Sequence, residues 1–311
     1  MRIVIAGGTG FLGAPLAESY GEEGHDVRVL TRAVPDGESR HEPGTGVPGV
    51  TRVGWRPDGN AGRWAADVDG ADAVINLAGE SIGDGRWTPQ RKAALVDSRI
   101  VPTRSLVAAI RSSAAPPGVF VSGSAVGYYG PSADELKTES DPPGKDFLAT
   151  ICEDWEAEAR RAEGAATRVV CIRTGVALER SGGALRKMLL PFRMFAGGPM
   201  GSGRQYMSWI HRIDWIEMVR WIVETPQVTG AVNATAPEPV TNREFARALG
   251  RALHRPAFMP APGFALRLAL GEMAGPLILE GQRVVPAKAL SLGFHFRYPE
   301  IDQAMRGIFE T

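Results

Sequence analysis

The chain has 311 residues, with 35 Lys+Arg against 35 Asp+Glu, a formal net charge of +0 and 23% charged residues. That length can bury a core without staples, and two cysteines, Cys152 and Cys171, exclude a disulfide scaffold and a cysteine-based zinc module. The zero balance argues against a general nucleic-acid binder, which carries a basic surplus.

Met1 leads straight into the strand-like run Arg2–Ala6, too short for the apolar core of a secretory signal and lacking a cleavage site. Ala6-Gly7-Gly8-Thr9-Gly10-Phe11-Leu12-Gly13 follows and opens a helix over Gly13–Glu23. Small residues are needed here for three reasons: Gly7 permits a tight turn, Gly10 lets backbone amides approach a pyrophosphate, and Gly13 lets helix and strand pack closely. An anion then rests at the helix N-terminus, where free N–H groups and the helix dipole favour negative charge. Thr9, Phe11 and Leu12 complete this predicted cradle.

A second strand, Asp26–Leu30, runs on into Thr31-Arg32 with no acid at its end. An acid there hydrogen-bonds the ribose of NAD, whereas an arginine forks onto the 2′-phosphate of NADP. Arg32 therefore predicts NADP(H), the alternative being an ordinary solvated arginine. Residues 35–48 read as a surface loop. Strands are expected at Ala73–Leu77, Gly118–Ser122 and Arg168–Arg173, alternating with helices over Pro89–Ser113 and Leu148–Glu163. This alternation predicts an α/β fold, a Rossmann-type doubly wound parallel sheet with helices on both faces. Beyond residue 176, Gly- and Pro-rich loops alternate with shorter helices (Asn242–Ala252, Phe264–Ala274). The division predicted is a cofactor-binding domain over 1–175 and a smaller substrate-capping region over 176–311, with residues of about 205–235 returning to the sheet. Arg267 and Glu272 interrupt the apolar stretch Phe264–Gly281, so it does not read as a membrane span. The expectation is a cytoplasmic protein that contacts neither membrane nor nucleic acid.

The spacing Gly-x-x-Gly-x-x-Gly resembles the extended short-chain dehydrogenase/reductase superfamily, of the sugar-nucleotide epimerase/dehydratase type. Ala73-Val-Ile-Asn76-Leu77-Ala78-Gly79 is similar to that family's fourth strand, whose end lines the cofactor. Phe120-Val-Ser122-Gly-Ser124 to Tyr128-Tyr129-Gly130 is similar to its fifth strand, which carries the active-site serine. Trp209-Ile-His211-Arg-Ile-Asp214 is similar to its late hydrophobic-His-x-x-Asp segment. More narrowly, Asn76–Glu80, Arg86-Trp87, Arg91-Lys92, Ser98-Arg99, Cys152-x-x-Trp155-Glu156 and the segment from Gly271–Ala274 to Gly293-Phe294 resemble an atypical epimerase subfamily. The resemblance implies a bound nicotinamide dinucleotide, with Asn76, Leu77, Ala78 and Gly79 beside it. It also implies dimerisation through helix pairs from each subunit.

The superfamily's proton donor is Tyr-x-x-x-Lys on one helix, an i,i+4 pair on one face. None of the five tyrosines has Lys four positions on. With the helix anchored on Glu156, the Lys position falls on Cys152 and the Tyr position on Leu148. Proton transfer is therefore expected from Tyr129, Ser124 or Glu80, in that order, with Glu80 depending on burial to raise its pKa. Cys152 is either a reactive thiol or a small apolar filler. The five histidines are scattered without metal-ligand spacing, so no metal site is expected. The loop 197–203 with Arg204-Gln205 reads as a clamp for an acidic substrate or as a plain connection. Trp209 and Trp215 read as packing between regions, and His211 as a structural hydrogen-bonder beside Asp214.

The function expected is an NADP(H)-dependent oxidoreductase or epimerase/isomerase acting on a small polar carbonyl or hydroxyl substrate. The rival is a non-catalytic NADP(H)-binding redox sensor or partner-binding protein that kept the cradle and lost the dyad.

Overall fold

The computed structural model describes residues 1–32, 42–43 and 47–310. Seven parallel strands form one sheet: β1 (Arg2–Ala6), β2 (Asp26–Thr31), β3 (Val50–Gly54), β4 (Ala73–Asn76), β5 (Val119–Ala125), β6 (Arg168–Thr174) and β7 (Gly230–Ala234). Their spatial order is β7-β6-β5-β4-β1-β2-β3, with Glu42–Pro43 pairing antiparallel on the outer edge of β3. The chain winds outward from β1 to β3, then restarts at β4 on the other side of β1. The reversal opens a crevice at the C-terminal ends of β1 and β4, where ligands bind in doubly wound sheets. The loop expected over residues 35–48 falls largely outside the described residues.

Strand alternation sends successive side chains to opposite faces. Ile3, Ile5, Val27, Val29 and Ile75 pack beneath α1 (Gly13–Glu22) and a later helix, Arg212–Glu224. Val4, Ala6, Val74, Phe120 and Val169 pack on the opposite face, against α2 (Pro89–Ser112) and α3 (Phe147–Arg160). Side chains set the start of both of these helices: Thr88 accepts from the Arg91 N–H (3.1 Å) ahead of Pro89, and Asp146 accepts from the Ala149 N–H (2.8 Å). The cap on Asp146 fixes the frame of α3, and with it the residues presented to the crevice.

After β6 the chain builds α4 (Gly183–Arg193), α5 (Arg212–Glu224), α6 (Asn242–Leu253), α7 (Gly263–Leu270) and α8 (Ile301–Phe309). Leu185, Leu189, Phe192, Trp209, Phe245 and Met305 form a separate apolar cluster there. Helix α5 lies against the main sheet and β7 extends it, so residues 212–234 belong to the first layer system although they follow the cap's first helix in sequence. No helix among the described residues is long and apolar enough to cross a membrane.

Candidate cofactor and substrate cleft

A cleft of about 650 Å³ opens at the C-terminal ends of the central strands, under the segments that follow β6. Its first wall is the glycine loop. Gly7 has φ +78°, and a Cβ there would meet the Leu77 carbonyl carbon at 2.6 Å; a Cβ on Gly13 would lie 2.3 Å from the Gly7 oxygen. Helix α1 therefore starts directly against the end of β4. Leu12, at its N-cap, offers no side-chain cap, and no acid occupies the first turn. Among the described residues no backbone carbonyl accepts from the N–H groups of Phe11, Leu12 or Gly13. These donors, with the helix dipole behind them, form a built anion seat. Gly7, Gly10, Phe11, Leu12 and Gly13 line the cleft; Thr9 stands exposed on the loop outside it. The Phe11 ring also fills the space that a Cβ on Gly182 or Gly183 would take, which ties the loop to the start of α4.

The register Ala6↔Leu30 places Thr31 and Arg32 beside the glycine loop at the same sheet end, and Arg32 is exposed there. From β4, Leu77 and Gly79 line the cleft. Asn76 lies beneath, fully buried: its amide N–H donates to Thr103 Oγ1 (2.8 Å) and its Oδ1 accepts from the Ala78 N–H (3.2 Å). Asn76 and Ala78 thus shape the turn from below, where direct contact with a cofactor was expected.

Helix α3 presents Leu148, Ile151, Cys152 and Trp155 to the cleft. Spacings of three, four and seven put these on one stripe, so the positions expected to carry the missing Tyr and Lys face the crevice as Leu148 and Cys152. Burial pushes the Cys152 thiol up to about 11, which keeps it protonated at neutral pH and a packing residue rather than a nucleophile.

The predicted proton donors are placed differently from the expectation. Tyr129 is 3% exposed, does not line the cleft, and donates its O–H to Asn233 Oδ1 (2.7 Å) while accepting from Arg173 Nη1 (2.9 Å). Burial pushes its phenol up to about 12 against the opposing pull of Arg173. It is part of a buried network centred on Glu156 and Arg173, which meet in a two-pronged ion pair at 2.7 and 2.9 Å. Burial works against the Arg173 charge, but the Glu156 hydrogen bonds and charge outweigh it and raise its pKa. The guanidinium also stacks 3.4 Å from the centre of the Tyr128 ring. Ser124 does reach the cleft, yet its hydroxyl donates to Glu156 Oε1 (2.8 Å), so its proton is directed inward. Glu80 lines the cleft but is half-exposed and ion-paired with Arg91, so its carboxylate is already engaged.

Two cleft residues carry no site role in the sequence reading, although Ser98-Arg99 is marked there as a subfamily motif. Arg99, on α2, donates to the carbonyl oxygens of Leu95 (2.9 Å) and Glu80 (3.0 Å) and packs 5.4 Å from the Trp155 ring centre. Burial lowers its pKa. Tyr206, half-buried, is the tyrosine that lines the cleft among the described residues, and the Arg283 guanidinium lies 5.0 Å from its ring centre. Its neighbour Gln205, in the segment read as either a substrate clamp or a plain connection, donates to the carbonyl oxygens of Met200 (2.9 Å) and Ile278 (2.8 Å) and stitches this region together. His211 caps α5, its Nδ1 accepting from the Ile213 N–H (3.1 Å), while Asp214 accepts from the N–H groups of Arg297 and Tyr298.

Comparison with known proteins places this architecture. The family described as "NAD dependent epimerase/dehydratase family" matches residues 3–234, and a domain of unknown function, DUF1731, matches residues 261–308. An Arabidopsis thaliana chloroplastic homologue of the epimerase family protein SDR39U1 is 41% identical over 312 residues, covering 100% of this chain and 87% of the relative. The Mus musculus SDR39U1 protein is 39% identical, covering 99% of both. A crystal structure of the human SDR39U1 protein with NADPH superposes with a TM-score of 0.88 at 37% identity, covering 100% of both chains.

Proposed function

This chain belongs to the NAD-dependent epimerase/dehydratase family, and from that premise we propose that it binds NADP(H) and exchanges hydride between the nicotinamide and a substrate held beneath the cap, as an oxidoreductase or an epimerase. The observation that carries the reading is the uncapped, acid-free N-terminus of α1, set against β4 by Gly7 and Gly13. The human relative crystallised with NADPH supports the choice of cofactor, as does the exposed Arg32 at the end of β2. The amides of Phe11, Leu12 and Gly13 would hold the pyrophosphate and Arg32 the 2′-phosphate. Leu77, Gly79 and Trp155 would line the path toward the substrate. When bound, the cofactor supplies or accepts hydride. Tyr206 is the phenol assigned here to move a proton, since it lines the cleft and the Arg283 guanidinium lies against its ring.

Fluorescence titration with NADPH and NADH, for wild type and Arg32→Asp, tests this. Micromolar NADPH binding, weaker NADH binding, and loss of that preference in the variant are expected; binding of neither cofactor would refute the reading. Leu148 and Cys152 at the dyad positions favour a second reading, a non-catalytic NADP(H) sensor. In that case Tyr206→Phe would change no turnover.

A further inference from the structure

The substrate half of the cleft is apolar and sulfur-rich. Met188 comes from α4, Met200 from the loop after it, and Met207 from the short strand Tyr206–Met207. Leu148 and Ile151 of α3 line the same cleft. Several of its polar side chains are already engaged with the protein, while Tyr206, Glu280 and Gln282 line it as well. Ser208 donates to the Gln282 carbonyl (2.8 Å) and accepts from the Val284 N–H (2.9 Å). Asn242 accepts from the Met200 N–H (2.7 Å) and donates to Met207 Sδ (3.3 Å). Thr174 Oγ1 accepts from the Trp215 indole (3.1 Å), and the Ser124 hydroxyl is turned to Glu156. Arg99 is the basic side chain among the described residues of the lining, and it is held on the α2 side by the Leu95 and Glu80 carbonyls. A ligand rich in hydroxyl or phosphate groups would lose its water here with few free partners to replace it. Flexible thioethers, by contrast, mould to irregular apolar surfaces. The apolar character continues outward: Pro276, Leu277 and Ile278 close the cleft, and α7 just before them carries Phe264 (76% exposed) and Leu268 (79% exposed).

We propose that the substrate of this cleft is an apolar carbonyl compound, such as an aryl or long-chain alkyl ketone, rather than a sugar nucleotide or a small polar hydroxy acid. Met207 is the central specificity residue. The inference rests on the cofactor reading above and adds to it the chemical class of what the cofactor faces.

The test uses the full chain saturated with NADP⁺ and the neutral fluorescent aryl ketone prodan, whose emission shifts to the blue in apolar surroundings. Saturable micromolar binding with a blue shift is expected, and millimolar UDP-glucose should not displace it. Met207→Glu, which would bury a carboxylate against the ligand, should weaken prodan by about tenfold or more. Met207→Leu should stay within about twofold of wild type, and both variants should keep wild-type NADPH affinity. Should Met207→Glu not fold, Met200→Glu carries the same expectation. The proposal fails if cofactor-loaded protein shows no saturable prodan binding. It fails equally if prodan binding ignores both glutamate variants, or if UDP-glucose competes. Absence of NADPH binding, with prodan binding still sensitive to Met207→Glu, would instead sink the cofactor reading and leave the apolar cleft standing.

Discussion

Tyr129 and Tyr206 show how the same side chain takes opposite roles in one fold. Tyr129 follows β5 on a loop that suggested chemistry, but its hydroxyl closes a circuit between Arg173 and Asn233 behind the cleft. Removing that hydroxyl leaves the buried Asn233 Oδ1 without its donor and Arg173 Nη1 with only the longer Glu139 carbonyl contact (3.5 Å), which costs about 1–3 kcal/mol. Tyr129→Phe should therefore lower the denaturation midpoint while NADPH affinity is retained. Tyr206 has neither that burial nor such partners. Tyr206→Phe should leave stability within about 0.5 kcal/mol and slow turnover of a carbonyl substrate by about 10²-fold or more. Measuring unfolding and turnover on both variants decides the assignment; the opposite pattern would return the proton-transfer role to Tyr129.

At the scale of elements, α3 and α5 turn a local sequence signal into a placement. Asp146 starts α3, and the helical period then delivers Leu148, Cys152 and Trp155 to the cleft while Glu156 points into the network. Helix α5 begins on His211, whose ring stacks on Tyr298 at 4.0 Å and whose Nδ1 must be unprotonated to accept the Ile213 N–H. Burial lowers its pKa to about 4 from 6.5. Between those two values the unfolded chain binds the extra proton and the folded chain does not. The contribution is therefore complete above the unfolded pKa and is lost as pH falls through the window, about 3 kcal/mol in all. Wild type should lose denaturant stability from pH 7 to pH 4.5 more steeply than His211→Asn, which keeps a helix cap without the titration. Equal slopes would refute the assignment.

At the scale of the whole molecule, the cleft is made by stretches far apart in the chain, among them the glycine loop, the turn after β4, helix α3 and the segments around Met207 and Leu277. A ligand that bridges such stretches stabilises the folded state by mass action, by about 2.7 kcal/mol at a hundredfold excess over its dissociation constant. Saturating NADPH should raise the melting temperature by several degrees, and NADH at equal concentration by less. Gly13→Ala, whose Cβ would clash with the Gly7 carbonyl, should abolish most of that shift. A full shift in the variant would show that the anion seat lies elsewhere.

Much of this organisation was legible in the residues. The alternation of short β-branched runs with helical segments marks five of the seven parallel strands, because each strand buries both faces only when helices cover both; the outer strands Val50–Gly54 and Gly230–Ala234 are not marked by it. The glycine spacing marks the seat at the first helix, since its demands are local: a positive φ at Gly7 and a close approach at Gly13. The absence of Tyr-x-x-x-Lys is likewise a property of the residues alone. What the tertiary structure decided is which polar groups remain free. Ser124, Tyr129 and Asn76 carry the chemistry a site requires, but partners 32, 104 and 27 residues away consume their hydrogen bonds. Tyr206 and Met207 carry little signal in sequence and gain their importance from the cap that folds them over β5 and β6. Hydrogen-bond satisfaction and cleft polarity depend on contacts distant in the chain, and only the packed molecule brings those contacts together.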